Sequence, residues 1–337
     1  MKALKHVTII AEAGVNHNGD VNKAFRMIDA ASQAGADYVK FQTFKAEKLA
    51  NATAAKAQYQ IQNTGSSESL LNMLRHLELN DSSFRDLQAY CSHKNIGFLS
   101  TPFDIDSVHF LHGLGMDYMK IPSGEITNLP YLRAIARIGI PVIMSTGMSD
   151  PEDIEAALNV LYKGGLSTDR ITLLHCNTQY PTPMDNVNLR AMETLRKYYG
   201  TEVGYSDHTL GIEVPIAAVA LGATVIEKHF TLDRHMQGPD HNASLEPCEL
   251  KAMVSSIRNI EQALGSSQKQ ITESEKANIS VARKSIVAAC NIGKNEIFSN
   301  DNLCAKRPGT GISPMRWDEV IGRRAIRDFK KDEIIEI

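Results

Sequence analysis

A chain of 337 residues is too long for one small domain and suits one large barrel followed by a small module. Hydrophobic residues make up 43% and charged residues 22%, and a net charge of −3 gives no basic excess that would point to nucleic acid or an anionic membrane as partner. The five cysteines are scattered, with no CxxC pair, which argues against a zinc site or a disulfide frame and for reduced thiols in a cytoplasmic protein.

The first six residues, Met1 to His6, run straight into a strand without the pattern of a signal peptide, and no apolar run is long enough to span a bilayer. Eight strands are then predicted in chain order: Val7–Ala13, Tyr38–Phe44, Ile96–Phe103, Tyr118–Glu125, Val142–Met148, Ile171–Asn177, Glu202–His208 and Thr224–Leu232. Most are nearly continuous apolar runs, as parallel strands covered on both faces require. Helical periodicity fills the intervals at Val21–Ala34, Asp81–Lys94, Leu129–Arg137 and Pro151–Lys163, several of them closed by glycine. This alternation predicts a (β/α)₈ barrel, a TIM barrel, over residues 1–265. A doubly wound open sheet is the weaker alternative, because no GxGxxG opens a helix and many strand ends are polar.

Residues 50–70 lengthen the connection after the second strand and read as a lid or substrate loop. A last amphipathic helix is expected over 249–264, then a polar linker over 266–280. Short β-like runs at Ser285–Ala289, Ile297–Phe298, Leu303–Lys306 and Ile334–Ile337 predict a small, mostly β domain over 281–337.

In such a barrel the chemistry sits at the C-terminal strand ends. Those ends carry Glu12, Asn16 and His17; Lys40 and Gln42; Thr101 and Asp104; Lys120, Ser123 and Glu125; Ser145; Asn177, Thr178 and Tyr180; Ser206, Asp207 and His208; and Glu227, Lys228 and His229. Lys40 and Lys120, with neighbouring serines, would grip a phosphate and a carboxylate. Glu12, Glu125 and Asp240 offer acid and base groups. His208 and His229, on adjacent strands, offer neutral imidazoles to a metal with open positions. His235 and His241 are expected as surface or loop residues, His76, His93, His109 and His112 as structural residues of helices, and Cys176 in the core.

The motifs Ile10-Ala-Glu-Ala-Gly-Val-Asn-His-Asn-Gly19, Val39-Lys-Phe-Gln-Thr43, Lys120-Ile-Pro-Ser-Gly-Glu125, Ser145-Thr-Gly-Met148, Tyr180-Pro-Thr-Pro183, Ser206-Asp-His-Thr209, Glu227-Lys-His-Phe-Thr231 and Gly238-Pro-Asp240 occur in one order along the chain. Together they resemble the sialic acid synthases, which use phosphoenolpyruvate to make nine-carbon 2-keto acids. The tail Lys306-Arg-Pro-Gly309 is similar to the signature of that family's antifreeze-like (SAF) C-terminal domain. The resemblance implies that Lys40, Lys120, Ser123, Ser145 and Ser206 hold phosphoenolpyruvate, that Gln42 and Tyr180 contact the sugar, and that His208 and His229 bind one Mn²⁺ or Mg²⁺. It implies Glu12, Glu125 and Asp240 as catalytic carboxylates. It further implies a homodimer in which Arg307 of the small domain completes the partner's site. Asn177-Thr178 departs from the Thr-Asn order of some members. A finer resemblance, carried by Gly238-Pro-Asp-His-Asn-Ala-Ser-Leu-Glu-Pro247 and Ile126-Thr-Asn-Leu-Pro130, is to the bacterial legionaminic acid synthases. That implies a 2,4-diacetamido-2,4,6-trideoxymannose as acceptor, with N-acetylmannosamine as the alternative.

Three rival readings are weaker. A synthase acting on a phosphorylated sugar needs a second basic cluster, and the strand ends carry none. A pyruvate aldolase would release no phosphate. A carbohydrate- or ice-binding protein would leave eight polar strand ends without a purpose.

Overall fold

The computed structural model describes residues 6–65 and 68–337; the expectations for Met1–Lys5, and for Ser66 and Ser67 of the long connection, lie outside the described residues. The chain divides into two compact units, 1–265 and 266–337.

The first unit alternates strands and helices: β1 (Thr8–Gly14), α1 (Val21–Ala34), β2 (Tyr38–Thr43), α2 (Ala46–Leu49), α3 (Gln58–Thr64), α4 (Leu70–Leu77), α5 (Asp81–His93), β3 (Gly97–Pro102), α6 (Ile105–Gly113), β4 (Met119–Ile121), α7 (Leu129–Ile138), β5 (Val142–Ser145), α8 (Pro151–Lys163), β6 (Ile171–Cys176), α9 (Ala191–Tyr199), β7 (Glu202–Asp207), α10 (Glu213–Ala220), β8 (Val225–His229) and α11 (Pro247–Leu264). All eight strands join one parallel sheet in the order β3-β2-β1-β8-β7-β6-β5-β4. At the seam between β3 and β4, the hydroxyl of Tyr131 on α7 donates to the Pro102 carbonyl at 2.7 Å and approaches that of Lys120 at 3.5 Å. The sheet is thus closed into the expected (β/α)₈ barrel.

Local chemistry explains the helices. In α1, Ala24, Met27, Ile28 and Ala31 are buried at helical spacing, so one stripe faces the sheet. The Asp20 side chain accepts from Asn22 N–H at the start, and Gly35 takes the left-handed conformation, φ 82°, at the end. Helix α8 starts on an Asp150 cap with Pro151 in its first turn.

Strands β5 and β8 end three residues before their expected limits, at Ser145 and His229, and two larger differences occur at β4 and in the second unit. Strand β4 stops at Ile121, and Ser123–Glu125 form a 3₁₀ turn instead of its continuation. Pro122 has no N–H to give to a sheet, so the ladder ends there. In the second unit, α12 (Glu273–Ala282) occupies part of the expected linker. It begins with a capping box, Thr272 with Glu275, where the Thr272 N–H donates to the Glu275 carboxylate at 2.8 Å. The rest of this unit pairs β9 (Ser285–Ala288) with β10 (Leu303–Lys306) antiparallel and ends with the short α13 (Trp317–Val320). Its core is small: Ile286, Ile292, Phe298, Leu303, Val320, Phe329 and Ile335 pack together.

Candidate active site

Successive side chains on a strand point to opposite faces. On β8, Glu227 and His229 share one face and Lys228 takes the other. On β7, Ser206 falls with the following His208, and Asp207 lies opposite. The outward pair closes on itself: Lys228 and Asp207 are fully buried and bonded at 2.5 Å, and the Thr209 hydroxyl donates to Asp207 at 3.0 Å. Lys228 and Asp207 therefore brace the barrel and take no part in the site.

The inward set lines a cavity of about 490 Å³ at the C-terminal strand ends. Of the residues expected from sequence it brings together Glu12, Lys40, Gln42, Lys120, Ser123, Ser145, Thr178, Tyr180, Ser206, His208, His229 and Asp240. A larger groove, about 1160 Å³, lies outside the barrel against α8 and α9, away from most of these charges.

The floor is an ionic cluster. Lys40 Nζ stands 2.8 Å from Glu12 and 3.6 Å from Glu227, and it donates to the Thr101 hydroxyl at 2.9 Å. Lys120 Nζ stands 3.7 Å from Glu227 and donates to Ser145 Oγ at 2.7 Å. Ser206 Oγ donates to Glu227 at 3.1 Å. Burial opposes charge on Lys40, but Glu12 and Glu227 prevail and hold it protonated, above the ordinary lysine range. At Lys120 burial prevails, and its pKa is lowered despite Glu227. Burial would raise Glu227, yet the two lysines hold it below the usual carboxylate range. Burial keeps Glu12 above that range. A ready-charged lysine and a second one that gains from any incoming anion make this floor a cradle for an anionic ligand.

Among the described residues, the opposite wall has no lysine or arginine. Tyr180 stacks on His208 with ring centroids 4.0 Å apart and meets His229 edge-on at 5.5 Å. Asp240 is buried, and its pKa is raised to about 7 by burial and by Glu12. Tyr59, from α3 in the long connection, stacks on Tyr180 at 4.9 Å.

The two histidines fit a metal with open positions. Their ring centroids are 5.4 Å apart. The Asn177 carbonyl engages His208 Nδ1, which places the proton there and leaves Nε2 a free lone pair. His229 Nδ1 is buried without a hydrogen-bond partner. Burial lowers the pKa of His208 to about 4 and that of His229 well below its usual range, so both are neutral. Among the described residues, no group of three or more His, Cys, Asp or Glu converges on one point. The protein thus offers two ligands, and water or substrate would supply the others.

Two expected site residues of the barrel do not line the cavity with their side chains. The carboxylate of Glu125 is held by Asn128 Nδ2 at 2.6 Å and does not line the cavity. Asn177 uses its side chain within its own loop, accepting from Gln179 N–H at 2.8 Å; only its carbonyl serves the site. Arg307 belongs to the second unit, where its Nε donates to the Ala282 carbonyl at 3.0 Å. His241 lies in a loop but is not at the surface: it is fully buried, bonded to the Thr231 hydroxyl at 2.7 Å and to Asn18 at 3.1 Å, because it ties the loop after β8 to the loop after β1. Cys176 is buried, as expected, and its Sγ also faces the cavity, 3.3 Å from Ser123 Oγ, because β6 ends there and its side chain points inward.

The sequence gives neither Glu227 nor Tyr59 a role. Glu227 stands among the strand ends, two residues before His229, and strand periodicity is the signal that turns it inward. Tyr59 lies in the connection over 50–70 read as a lid or substrate loop, but nothing local singles that residue out.

Comparisons with known proteins give the family. Residues 27–269 match the NeuB family and residues 283–336 the SAF domain. This chain belongs to the NeuB family. It is 53% identical to N,N'-diacetyllegionaminic acid synthase of Campylobacter jejuni, over 98% of this chain and 99% of that protein. It is 46% identical to the enzyme of the same name from Legionella pneumophila, over 94% and 89% of the two chains. A solved N-acetylneuraminic acid (sialic acid) synthetase from Leptospira borgpetersenii, in complex with citrate, is 37% identical, covering 82% of this chain and 91% of its own with a TM-score of 0.72.

Proposed function

We propose that this NeuB-family chain is a phosphoenolpyruvate-dependent synthase of nine-carbon sialic-type acids. It joins phosphoenolpyruvate, an N-acylated mannosamine-type sugar and water to give the 2-keto acid and phosphate. The favoured acceptor is 2,4-diacetamido-2,4,6-trideoxymannose, giving a legionaminate. The observation that carries this reading is the division of one cavity into a lysine–serine floor and an aromatic, carboxylate-bearing wall free of cations. The floor suits a small dianion and the wall a neutral polyhydroxylated amide.

His208 and His229 would hold one Mn²⁺ or Mg²⁺, which when bound supplies Lewis-acid polarisation of the sugar aldehyde. Lys40, Lys120, Ser145 and Ser206 hold phosphoenolpyruvate with its methylene carbon toward the wall. That carbon forms the new bond to the aldehyde carbon. Asp240, with a pKa near 7, carries a proton for part of its population at neutral pH and gives it to the new alkoxide oxygen. Water adds to the cationic carbon that results, losing its proton to a carboxylate. Glu125 can take this role only after leaving Asn128. Collapse of the tetrahedral adduct breaks the carbon–oxygen bond and releases phosphate, which the two lysines stabilise as it departs.

Phosphate release in the presence of phosphoenolpyruvate, Mn²⁺ and each candidate sugar tests the reading. A higher kcat/KM for the diacetamido sugar than for N-acetylmannosamine is expected, and the product mass should confirm it. A preference for N-acetylmannosamine would place the chain with the N-acetylneuraminate synthases. No phosphate release with either sugar would overturn the reaction. His208→Ala and His229→Ala should fold normally and lose Mn²⁺ affinity in equilibrium dialysis; unchanged affinity would remove the metal assignment. The family resemblance also supports a homodimer that shares Arg307 across its sites, in the cytoplasm. No helix of the described residues is long and apolar enough to cross a membrane.

A further inference from the structure

The long connection after β2 folds into α3, and α3 has no fully buried side chain. A helix without a core is held by whatever its polar and aromatic groups touch. At its base the segment is tied to itself: Lys56 is buried and its Nζ donates to Thr64 Oγ1 at 3.0 Å and to the Gly65 carbonyl at 3.2 Å. Among the described residues, the hydrogen bonds of α3 itself to other parts of the barrel converge on one short stretch, Pro239–Asn242, apart from a weak contact of the Thr64 hydroxyl with the Met73 sulfur. Asn63 Nδ2 donates to the Pro239 carbonyl at 2.6 Å, and Asn242 Nδ2 donates back to Asn63 Oδ1 at 2.7 Å. Between these two residues lies Asp240, and the Tyr59 hydroxyl faces its carboxyl closely enough to lower its pKa against burial. The Tyr59 ring lies almost parallel to that of Tyr180, 20° between planes, and Tyr180 in turn lies on His208.

We propose that α3 is a lid over the cation-free end of the cavity, and that Tyr59 is both the outer wall of the sugar subsite and the group that positions Asp240. The proposal rests on the function given above. Its physical basis is that one side chain joins three things. Its ring closes a stack of Tyr59, Tyr180 and His208 against which the apolar face of a sugar or an acetamido methyl can pack. Its hydroxyl orients the buried carboxyl assigned as proton donor. Its backbone belongs to a helix that can leave at little cost, because no apolar core is uncovered when it does. Lifting α3 therefore opens the sugar end and releases Asp240 in the same movement, while the lysine floor stays intact.

Three variants separate the parts. Tyr59→Ala should raise KM for the sugar by about tenfold or more and leave KM for phosphoenolpyruvate within about twofold. Tyr59→Phe keeps the ring, so KM for the sugar should stay within about threefold while kcat falls about tenfold through Asp240. Asn63→Ala removes only a latch. Hydrogen exchange of the amides in 57–65 should quicken in Asn63→Ala and Tyr59→Ala, and slow in the wild type when sugar and phosphoenolpyruvate are added together. Equal rises in both KM values, or a Phe variant with wild-type kcat, would overturn Tyr59's roles. Unchanged exchange in both variants would overturn the lid. If the wild type released no phosphate with any N-acylated mannosamine, the proposed function would have failed instead. The exchange of 57–65 in the two variants would then decide the lid without turnover.

Discussion

Lys40 and Lys120 carry the same charge on the same floor, yet their surroundings predict different consequences of removing them. Lys40 neutralises two buried carboxylates, and Lys120 one. Replacing either with Met should raise KM for phosphoenolpyruvate by about tenfold or more, since a charged hydrogen bond is worth about 1.5–3 kcal/mol. Lys40→Met should also lower stability by about 3–5 kcal/mol, because it leaves Glu12 buried without its cationic partner and Glu227 with Lys120 alone. Denaturant unfolding beside the kinetics checks both; a Lys40→Met protein as stable as Lys120→Met would contradict the cluster described here. Asp240 gives a pH signature. Its folded pKa of about 7 lies above the ordinary 3.8, so the folded state binds its proton more tightly. The stability this group contributes is therefore present at low pH and lost as pH rises toward 7. The full displacement corresponds to about 4 kcal/mol at most. Asp240→Asn should be nearly indifferent to this range, so its Tm should gain on that of the wild type between pH 5 and 8. The buried histidines act in the opposite sense but are common to both proteins, and a Tm difference independent of pH would show that Asp240 titrates normally.

At the scale of elements, the barrel bottom is laced by two carboxylates, Asp37 and Glu261, the latter accepting from Val7 N–H at 2.5 Å. Asp37, just before β2, accepts from Ile9 N–H in β1 at 2.7 Å and from Arg258 Nη2 in α11 at 2.7 Å. Arg258 also donates to the Val7 carbonyl at 2.8 Å. The last helix is thereby fastened to the first strand, on the face away from the cavity. Arg258→Ala should lower the urea midpoint by the equivalent of about 1.5–3 kcal/mol and leave both KM values unchanged; a change in either KM would mean that the two ends of the barrel are coupled. The elements also show where pattern reading works. The eight strands were legible because each is a buried apolar run, and α1 and α8 because their caps and stripes agree. Helix α12 was hidden by its polar composition, although its capping box, Thr272-Glu-Ser-Glu275, stands in the sequence. The end of β4 was overrun because an apolar and small-residue pattern says nothing of a ladder that stops at Pro122.

For the whole molecule, the shared-site proposal makes a prediction that neither unit can make alone. An inactive barrel variant such as His229→Ala and a module variant, Arg307→Ala, should each give inactive homodimers. If Arg307 serves the partner's barrel, mixed dimers contain one site with both parts intact, and co-expression should restore activity to about half of those sites. Heterodimers that stay inactive would place Arg307 with its own barrel or outside the site. The sequence by itself determined the barrel, the small β domain and most of the charged floor, because period-two strands and their polar ends are local properties of the chain. It also determined that Lys40, Lys120, His208 and His229 share a mouth, since a barrel brings strand ends together whatever lies between them. Only the tertiary structure decided that Glu227 sits between the lysines, that Glu125 is turned to Asn128, that His241 is buried and that Tyr59 reaches Asp240. Each of those depends on how a side chain or a loop meets residues far away in the chain, and such meetings are chosen by burial and hydrogen-bond satisfaction in three dimensions, which no local pattern encodes.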